Sequence, residues 1–268
     1  MKKYGNLHPP LVRRVFNEAQ NEKAAKTRLH QLYGAYIQPN SVKKAAAFLK
    51  KLESTALTSN EKKVPLPLDM KSHSTAHLER YMEDIVFLLK LHSSTQERLP
   101  FLHEFYDYIK SVVGEINSVL DLGCGFNPFS LPFFPWNIKE YHAIDIDFAT
   151  RNLINIFFGY MELPKHASCA DLITETPQVK TDLAFMLKLL PVLETYKPGR
   201  GYELANSINA KWLVITFPTR SLGGKNIGME KNYTDSFREA TQNNQLDNFN
   251  LSAENRVGSE LIFVLKKV

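Results

Sequence analysis

The sequence predicts an α/β protein whose C-terminal part is a doubly wound, mostly parallel sheet. From Ile116 onward, short apolar runs alternate with segments of helical periodicity, and this alternation is typical of βαβ units with right-handed crossovers. The apolar run that ends at Asp121 leads into a glycine-rich turn, Gly123-Cys124-Gly125. Such a turn is typical of the point where a buried parallel strand meets a ligand, because glycine lets the backbone approach the ligand closely.

Seven strands are predicted, five from the apolar runs and two from the end of the chain. The tail, 251–267, has the pattern of two antiparallel strands with a turn at 257–259. Helices are expected between the strands at 148–161 and 189–207, since apolar residues recur there at helical spacing. The five apolar runs are 116–121, 140–146, 166–170, 181–187 and 211–217.

The residues before the sheet are predicted to be helical, and we divide the chain into a helical domain, 1–110, and an α/β domain, 111–268. Residues 54–72, with two prolines and several Ser and Thr, are expected to be a linker. Arg98 would lie in the first turn of the last helix, where the helix dipole disfavours a cation. We therefore expect an anionic partner for Arg98. The predicted helices are 10–19, 24–36, 42–52, 74–92 and 95–113.

The composition is that of a globular protein. The 268 residues are 44% hydrophobic, which suits one large domain or two unequal ones and excludes a disordered chain. The two cysteines form neither a disulfide framework nor a zinc pattern. No apolar run approaches the roughly 20 residues of a membrane span, and no signal-peptide core follows the first residues. We therefore expect a reduced, cytoplasmic protein without a metal site.

Positive charge is concentrated near the start of the chain. The net charge is +5, yet residues 1–63 contain thirteen Lys and Arg against four Glu, while 111–268 contain fifteen against seventeen acids. A basic front on a near-neutral body predicts a polyanion such as nucleic acid as partner, although a solvated lysine-rich helix face is the alternative. The basic residues expected to contact RNA here are Arg13, Arg14, Lys43, Lys44, Lys50 and Lys51.

Polar residues follow four successive strands, at the edge where ligands bind in sheets of this kind. Asp121, Asp145 and Asp171 follow the first three strands, and Lys188 follows the fourth. A carboxylate at the position of Asp145 can accept hydrogen bonds from both hydroxyls of a ribose. Three acids after a glycine turn favour a nucleoside-binding pocket over isolated turn or cap residues.

A long segment after the fifth strand, 217–233, contains three glycines together with Arg220, Lys225 and Lys231. Cations and backbone freedom at a pocket mouth suit a phosphate-bearing substrate, although a flexible surface loop has the same composition. Glu230 is expected to begin a helix, as an acid of its first turn.

Six segments, taken in chain order, resemble the aminoglycoside-resistance 16S rRNA methyltransferases, and most of all the branch that methylates N-7 of guanine 1405 in the decoding site. The glycine turn by itself marks only the superfamily of S-adenosylmethionine-dependent methyltransferases, whereas 28–36, 92–98 and 217–233 are specific to this branch. The likeness covers nearly the whole chain. The segments are Arg28–Tyr36, Leu91–Arg98, Leu120–Pro128, Phe185–Pro191, Phe217–Gly224 and Gly228–Tyr233.

The resemblance implies a Rossmann-like class I methyltransferase domain, with a mostly parallel seven-stranded sheet and an antiparallel C-terminal hairpin, behind a small all-α domain that docks on rRNA. It implies S-adenosyl-L-methionine as cofactor, S-adenosyl-L-homocysteine as product and the 30S subunit as partner. Arg98 would bind the methionine carboxylate, Gly123 would line the turn, Asp145 would hold the ribose, and Asp171 with Leu172 would frame the adenine.

The remaining site residues complete this expectation. Asp121 joins the cofactor-binding set through its place at the end of the first strand, and Lys225 joins the RNA-contacting set through its place in the long loop. The resemblance implies that four residues lie near the target base and its phosphates. These are Lys188, Arg220, Ser221 and Glu230.

The implied reaction is methyl transfer to N-7 of guanine 1405 of 16S rRNA in the assembled 30S subunit, with resistance to gentamicin- and kanamycin-type 4,6-disubstituted 2-deoxystreptamine drugs. No general base is expected, because N-7 already carries an in-plane lone pair. Three alternatives stay open. They are methylation of N-1 of a neighbouring decoding-site adenine, a non-catalytic rRNA-binding homologue, and a small-molecule methyltransferase, which the basic front end disfavours.

Overall fold

The computed structural model describes residues 4–34, 36–37, 40–58, 75–219, 229–243 and 245–268, with side chains throughout except at 51–58, 75–81 and 229–230. Within these residues the chain forms one seven-stranded sheet with helices on both faces, which confirms the predicted fold class. No helix among them is long and apolar enough to cross a membrane.

The sheet has the strand order β3-β2-β1-β4-β5-β7-β6. Its first five strands in sequence are parallel, while β7 runs antiparallel to both β5 and β6. The central strands are buried along most of their length, as expected when helices cover both faces of a parallel sheet. The strands are β1 Ser118–Leu122, β2 Glu140–Asp145, β3 Ala167–Cys169, β4 Lys180–Leu187, β5 Asn209–Pro218, β6 Phe249–Val257 and β7 Glu260–Lys267.

Side chains alternate between two cores, one on each face of the sheet. Val119 and Phe185 belong to the first core, and their chain neighbours Leu120 and Ala184 belong to the second. This period of two follows from the pleat of the strands. Helices α3 Ser41–Thr58, α4 Thr75–Leu89, α6 Leu102–Val113 and α7 Phe148–Tyr160 cover the first face, and α8 Leu190–Tyr196, α9 Arg200–Ser207 and α10 Met229–Gln242 cover the second.

Two of the predicted helices are broken, in each case at a residue that is visible in the sequence. The helix expected at 189–207 is divided into α8 and α9, because Pro198 has no N–H to donate and Gly199 is left-handed, with φ of 84°. The helix expected at 95–113 is divided into α5 Ser93–Arg98, a short 3₁₀ turn around Pro100, and α6. Arg98 therefore lies in the last turn of α5, and its expected place in a first turn was wrong.

Two other helical predictions need adjustment. Helix α3 continues to Thr58, so residues 54–58 are helical and are not part of a linker; residues 59–72 lie outside the described part of the chain. The helix expected at 24–36 is shorter, since α2 Glu22–Leu29 gives way to one π-helical turn, His30–Gly34.

The start of the chain is docked on the end of β2. The backbone of Leu7 pairs with that of Asp147, and helix α1 Pro9–Glu18 follows directly. A small apolar cluster from α1 and α2 packs against Ile146. By contrast, buried residues of α3 and α4 share the core of the sheet. The division of the chain at residue 110 stays a prediction.

Asp147 connects this docked segment to the sheet. Its carboxylate caps α7 by accepting from the backbone N–H of Ala149 at 3.2 Å and of Thr150 at 3.1 Å. It also accepts from the Tyr33 hydroxyl at 2.9 Å, and its side chain is fully buried. One carboxylate therefore satisfies a helix terminus and a tyrosine from the N-terminal helical region.

We predict that Asp147→Ala lowers the free energy of unfolding by about 2–3 kcal/mol, because it removes a helix cap and the hydrogen-bond partner of two hydroxyls, the buried one of Thr150 and the half-buried one of Tyr33. Asn21→Ala is the matched control, since Asn21 caps α2 at the surface by accepting from the N–H of Ala24 at 2.9 Å. The control should lose about 1 kcal/mol or less. Urea unfolding followed by circular dichroism measures both, and equal losses would contradict the connecting role of Asp147.

Candidate active site

A pocket opens at the carboxyl ends of the parallel strands, and five of the six predicted cofactor-binding residues line it, together with Lys188. The N-terminal helical region contributes one wall, with Leu11, Tyr33 and Tyr36. The pocket thus lies between the sheet and the helices that precede it. Predicted residues in its lining are Arg98, Gly123, Asp145, Asp171, Leu172 and Lys188.

The glycine turn after β1 requires its glycines. Gly123 and Gly125 have φ of 63° and 50°, in the left-handed region where a side chain is strained. A Cβ on Gly123 would stand 2.9 Å from a methyl group of Leu189, and one on Gly125 would stand 2.8 Å from Nε2 of His92. The turn therefore lines the pocket with backbone, as the sequence pattern predicts.

Asp145, the last residue of β2, presents a fixed carboxylate to the pocket. One oxygen accepts from the Gly125 N–H at 2.8 Å, and the other accepts from the N–H groups of Ile146 and Asp147 at 2.7 and 3.1 Å. Burial raises the pKa of Asp145 to about 6, against the opposing effect of the Gly125 hydrogen bond. The carboxylate is therefore ionised at neutral pH and held in one orientation.

Asp121 lies beneath the glycine turn, outside the lining of the pocket. Its Oδ2 accepts from the Tyr141 hydroxyl at 2.6 Å and from Nδ2 of Asn127 at 2.9 Å. Burial raises the pKa of Asp121 to about 6, although these two hydrogen bonds act in the opposite direction. Asp121 reaches the pocket only through Asn127, whose other amide atom contacts Arg98.

Arg98 has the anionic partner that the sequence led us to expect, and the partner is Glu260. Its Nε and Nη2 donate to the two oxygens of Glu260 at 2.9 and 3.0 Å, and its Nη1 donates to Asn127 at 2.9 Å. Both side chains of the ion pair are 2% exposed. A guanidinium carries five N–H donors, and two of those of Arg98 have no partner among the described residues, so they can serve a ligand that enters the pocket.

Lys188 stands beside this ion pair, at the end of β4. Its Nζ lies 2.7 Å from a carboxylate oxygen of Glu97 and 3.4 Å from Oε1 of Glu260. Its backbone is left-handed, with φ of 56°, a strained conformation that is concentrated at functional sites. Burial raises the pKa of Glu260, but Arg98 and Lys188 together outweigh it and keep that pKa below its usual value.

His92 is a pocket residue that sequence reasoning did not select. Its ring lies between those of Tyr36 and Phe126, at centroid distances of 6.5 and 5.6 Å. Burial, with help from the positive charges of Arg98 and Lys188, lowers the pKa of His92 to about 4. The ring is therefore neutral at physiological pH. Glu260 was missed as well, because an acid that starts the last strand has no local signature.

Two arginines hold the segment after β3. Arg14 of α1 donates from Nε to Oδ2 of Asp171 at 2.6 Å and from Nη2 to Oδ1 at 3.0 Å. Arg200 of α9 donates to the carbonyl oxygen of Leu172 at 2.8 Å. Asp171 and Leu172 are thus fixed by side chain and by backbone. The guanidinium of Arg14 faces the pocket wall, whereas Arg13 is exposed.

Several predicted RNA-side residues lie on the surface or beyond the described coordinates. Lys43, Lys44 and Lys50 are exposed on α3. Glu230 belongs to α10, but its side chain is not described. The remaining four residues, or their side chains, lie outside the described part of the chain. They are Lys51, Arg220, Ser221 and Lys225.

The site places different chemistry at its two ends. The ends of β2 and β3 carry carboxylates, Asp145 and Asp171, while the end of β4 and helix α5 carry the cations Lys188 and Arg98. Carboxylates accept from the hydroxyl and amino groups of a nucleoside, and a guanidinium with free donors binds a carboxylate. The arrangement suits an elongated ligand with a nucleoside at one end and an acid group at the other.

Comparison with known proteins gives matches over nearly the whole chain. Curated relatives named 16S rRNA (guanine(1405)-N(7))-methyltransferase include one from Micromonospora echinospora, 32% identical over 99% of this chain and 93% of the relative, and one from Serratia marcescens, 33% identical over 99% and 94%. The crystal structure of the 16S rRNA methyltransferase RmtF in complex with S-adenosyl-L-homocysteine covers 99% of this chain and 93% of its own, with 32% identity and a TM-score of 0.79.

The structure of the 16S rRNA methylase RmtB is also similar, with 30% identity and a TM-score of 0.75 over 100% of this chain and 94% of its own. A model of the ribosomal RNA methyltransferase family FmrO matches residues 1–262. With this match and the pocket at the strand ends, the chain belongs to the FmrO family of ribosomal RNA methyltransferases.

Proposed function

We propose that this enzyme transfers the methyl group of S-adenosyl-L-methionine to N-7 of guanine 1405 of 16S rRNA in the assembled 30S subunit. The observation that carries the proposal is the likeness, over 99% of the chain, to relatives named for this reaction. Such an enzyme would work where ribosomes are, in the cytoplasm. Ribosomes that carry this methylated guanine would resist 4,6-disubstituted 2-deoxystreptamine drugs. The methylated N-7 can no longer accept a hydrogen bond, and the base gains a positive charge.

The pocket fits the donor. The two free N–H donors of Arg98 suit the methionine carboxylate, and the ionised Asp145 suits the ribose hydroxyls. The Cβ-free turn at Gly123 leaves room for close approach of the backbone. Asp171 and Leu172 are left for the adenine. Asp121 supports this site from beneath, through Asn127.

The chemistry needs positioning more than proton transfer. S-adenosyl-L-methionine supplies an electrophilic methyl on sulfur, and guanine N-7 offers a lone pair in the plane of the ring. The stacked ring of His92 is a weak base, since its pKa is lowered to about 4, and Asp121 is covered by its hydrogen-bond donors, so neither is placed as a general base. Holding the guanine in line with the methyl then accounts for the rate. Extruding the guanine from its stack costs a few kcal/mol, which RNA contacts must offset.

On the substrate side, Lys188 lines the pocket beside Arg98 and is proposed to lie near both the donor and the target base. Arg220, Ser221 and Glu230 are proposed to complete the contacts to the target base and its phosphates. Docking on the subunit is assigned to cations of the N-terminal helices and of the segment after β5, of which Arg13, Lys43, Lys44 and Lys50 are exposed. The assigned cations are Arg13, Lys43, Lys44, Lys50, Lys51 and Lys225.

The function is tested by incubating the enzyme with purified unmethylated small subunits and donor carrying a labelled methyl group. We expect label in 16S rRNA and a single strand scission at guanine 1405 after chemistry specific for 7-methylguanine. Incorporation without scission at that guanine would favour a neighbouring adenine as the target. Absence of both incorporation and donor binding would favour a non-catalytic RNA-binding protein.

Donor binding is predicted to weaken below about pH 6. The pKa of the Asp145 carboxyl is raised to about 6, so this group is ionised above that pH and protonated below it. A protonated carboxyl can no longer accept from both ribose hydroxyls, and the affinity for S-adenosyl-L-homocysteine should fall by up to roughly tenfold per pH unit. Calorimetry between pH 5 and 7.5 measures this. Asp145→Asn should bind weakly at every pH, and a flat wild-type profile would contradict the ribose assignment.

Subunit binding is predicted to depend on the lysines of α3. Changing Lys43, Lys44 and Lys50 to Glu should weaken binding to the small subunit. The slope of the logarithm of the binding constant against the logarithm of salt concentration should become less steep by roughly 0.7–0.9 for each lost phosphate contact. Donor affinity should be unchanged. The matched control changes to Glu three exposed lysines at or just before the amino ends of β2, β3 and β4, which is the edge of the sheet opposite the pocket. These are Lys139, Lys165 and Lys180.

Filter binding over a series of salt concentrations measures both triple variants. The control should bind subunits as the wild type does, so an equal loss in the two variants would mean that only net charge matters. A parallel loss of donor affinity in the α3 variant would indicate misfolding instead.

A further inference from the structure

We propose that Arg14 is a positioning residue of the donor site, which acts through Asp171 on recognition of the adenine amino group. The inference rests on the proposed function, because it takes S-adenosyl-L-methionine as the donor. It separates two adjacent arginines of α1 that charge alone does not distinguish.

The contact between Arg14 and Asp171 has the geometry of a strong, oriented interaction. Two N–H groups of the guanidinium meet the two oxygens of one carboxylate, at 2.6 and 3.0 Å. The side chain of Asp171 is 2% exposed and that of Arg14 is 14% exposed. A two-pronged, partly desolvated pair of this kind fixes the plane of the carboxylate, which a single hydrogen bond would leave free to rotate.

Arg14 is itself held on its other sides. Its guanidinium carbon lies 4.6 Å from the centre of the Tyr196 ring, and its Nη1 lies 3.1 Å from Oε2 of Glu18. The Tyr196 hydroxyl donates to the same Glu18 oxygen at 2.7 Å. Arg13, one residue earlier, is exposed and makes no ion pair with any described residue. Arg14, and not Arg13, is thus paired with a residue that lines the pocket.

The order of the strands places the adenine at Asp171. The sheet runs β3-β2-β1-β4, with Asp145 at the end of β2 and Lys188 at the end of β4. If the ribose lies on Asp145 and the methionine carboxylate on Arg98, the base must extend the other way, over the end of β3. Asp171 follows that strand and lines the pocket.

Contacts with the described residues leave the carboxylate of Asp171 one acceptor position for the base. A carboxylate offers about four lone-pair sites. Arg14 occupies two of them, and the N–H of Ile173 occupies a third at 3.2 Å. The fourth suits the exocyclic amino group of adenine, which is a donor. A carbonyl oxygen at the same ring position would be repelled. By fixing the carboxylate plane, Arg14 sets the direction of this last acceptor.

The experiment compares S-adenosyl-L-homocysteine with its inosine analogue, in which a carbonyl oxygen replaces the adenine amino group. Calorimetry is run well below the melting midpoint of each variant. Arg14→Gln should bind S-adenosyl-L-homocysteine about tenfold more weakly, the loss expected for one charge-assisted hydrogen bond. It should bind the inosine analogue nearly as the wild type does, so the ratio of the two affinities, which measures the preference for adenine, becomes smaller. In turnover, KM for the donor should rise while kcat changes little.

Two further variants sharpen the result. Arg14→Lys keeps the positive charge but lacks the two-pronged guanidinium contact. Compared with Arg14→Gln, it should restore part of the preference for adenine over the inosine analogue. Arg13→Gln removes the same charge from the same helix and should leave both donor-site affinities unchanged. The proposal is overturned if Arg14→Gln keeps the wild-type preference for S-adenosyl-L-homocysteine over the inosine analogue. This would be so if the variant only melted at a lower temperature, or if it bound both ligands more weakly by the same factor. Failure of the wild type to bind S-adenosyl-L-homocysteine would instead refute the proposed function.

Discussion

The buried ion pair between Arg98 and Glu260 is the interaction on which the pocket depends. It joins residues 162 positions apart, the end of α5 and the start of β7, with both side chains sealed from water. Removing two charges from water is costly, and the cost is offset only when the geometry is good and the remaining donors are satisfied. Here the pair is two-pronged, and Asn127 and Lys188 supply further partners for the guanidinium and the carboxylate.

The support of the glycine turn follows from this pair. Asn127 accepts from Arg98 with its oxygen and donates to Asp121 with its nitrogen, so one amide connects the ion pair to the acid beneath the turn. The Tyr106 hydroxyl donates to the same amide oxygen at 2.9 Å. Because the turn has no side chains at its two glycines, its shape must be set from below. A network of buried hydrogen bonds can do this, because each group in it limits the orientation of the next.

Sequence reasoning succeeded where the signal was local. The strand at β1, the turn at Gly123 and the acid at Asp145 follow from short-range pattern and from known strand-end chemistry. Even the helix breaks at Pro100 and Gly199 had a visible signal. Contacts across the chain had none, and this is why the partner of Arg98 could be expected as an anion but not named. Whether an arginine faces RNA or a pocket is likewise decided by packing alone.

The three strand-end acids show why a sequence pattern does not predict how deeply a side chain lies below the open edge of the sheet. In the register of the sheet, Asp121 pairs with Ala143, two residues before Asp145, and Asp145 pairs with Cys169, two residues before Asp171. Asp145 thus stands about 6–7 Å further toward the open edge than Asp121, and Asp171 lies two residues beyond the end of β3. The innermost acid is covered by Tyr141 and Asn127 and supports the turn. The middle one is held by backbone N–H groups alone and keeps a face to the pocket.

The outermost acid, Asp171, lies beyond the last residue of its strand. Its carboxylate is held by the N–H of Ile173 and by the side chain of Arg14. That side chain comes from α1, because the start of the chain is docked beside the end of β2 by the backbone pairing of Leu7 with Asp147. The three carboxylates therefore differ in their support: buried side chains for Asp121, backbone N–H groups for Asp145, and a distant arginine together with one backbone N–H for Asp171. The three acids look alike in the sequence, since each follows a predicted strand. Two-residue steps in the register of the sheet nevertheless give them three different roles.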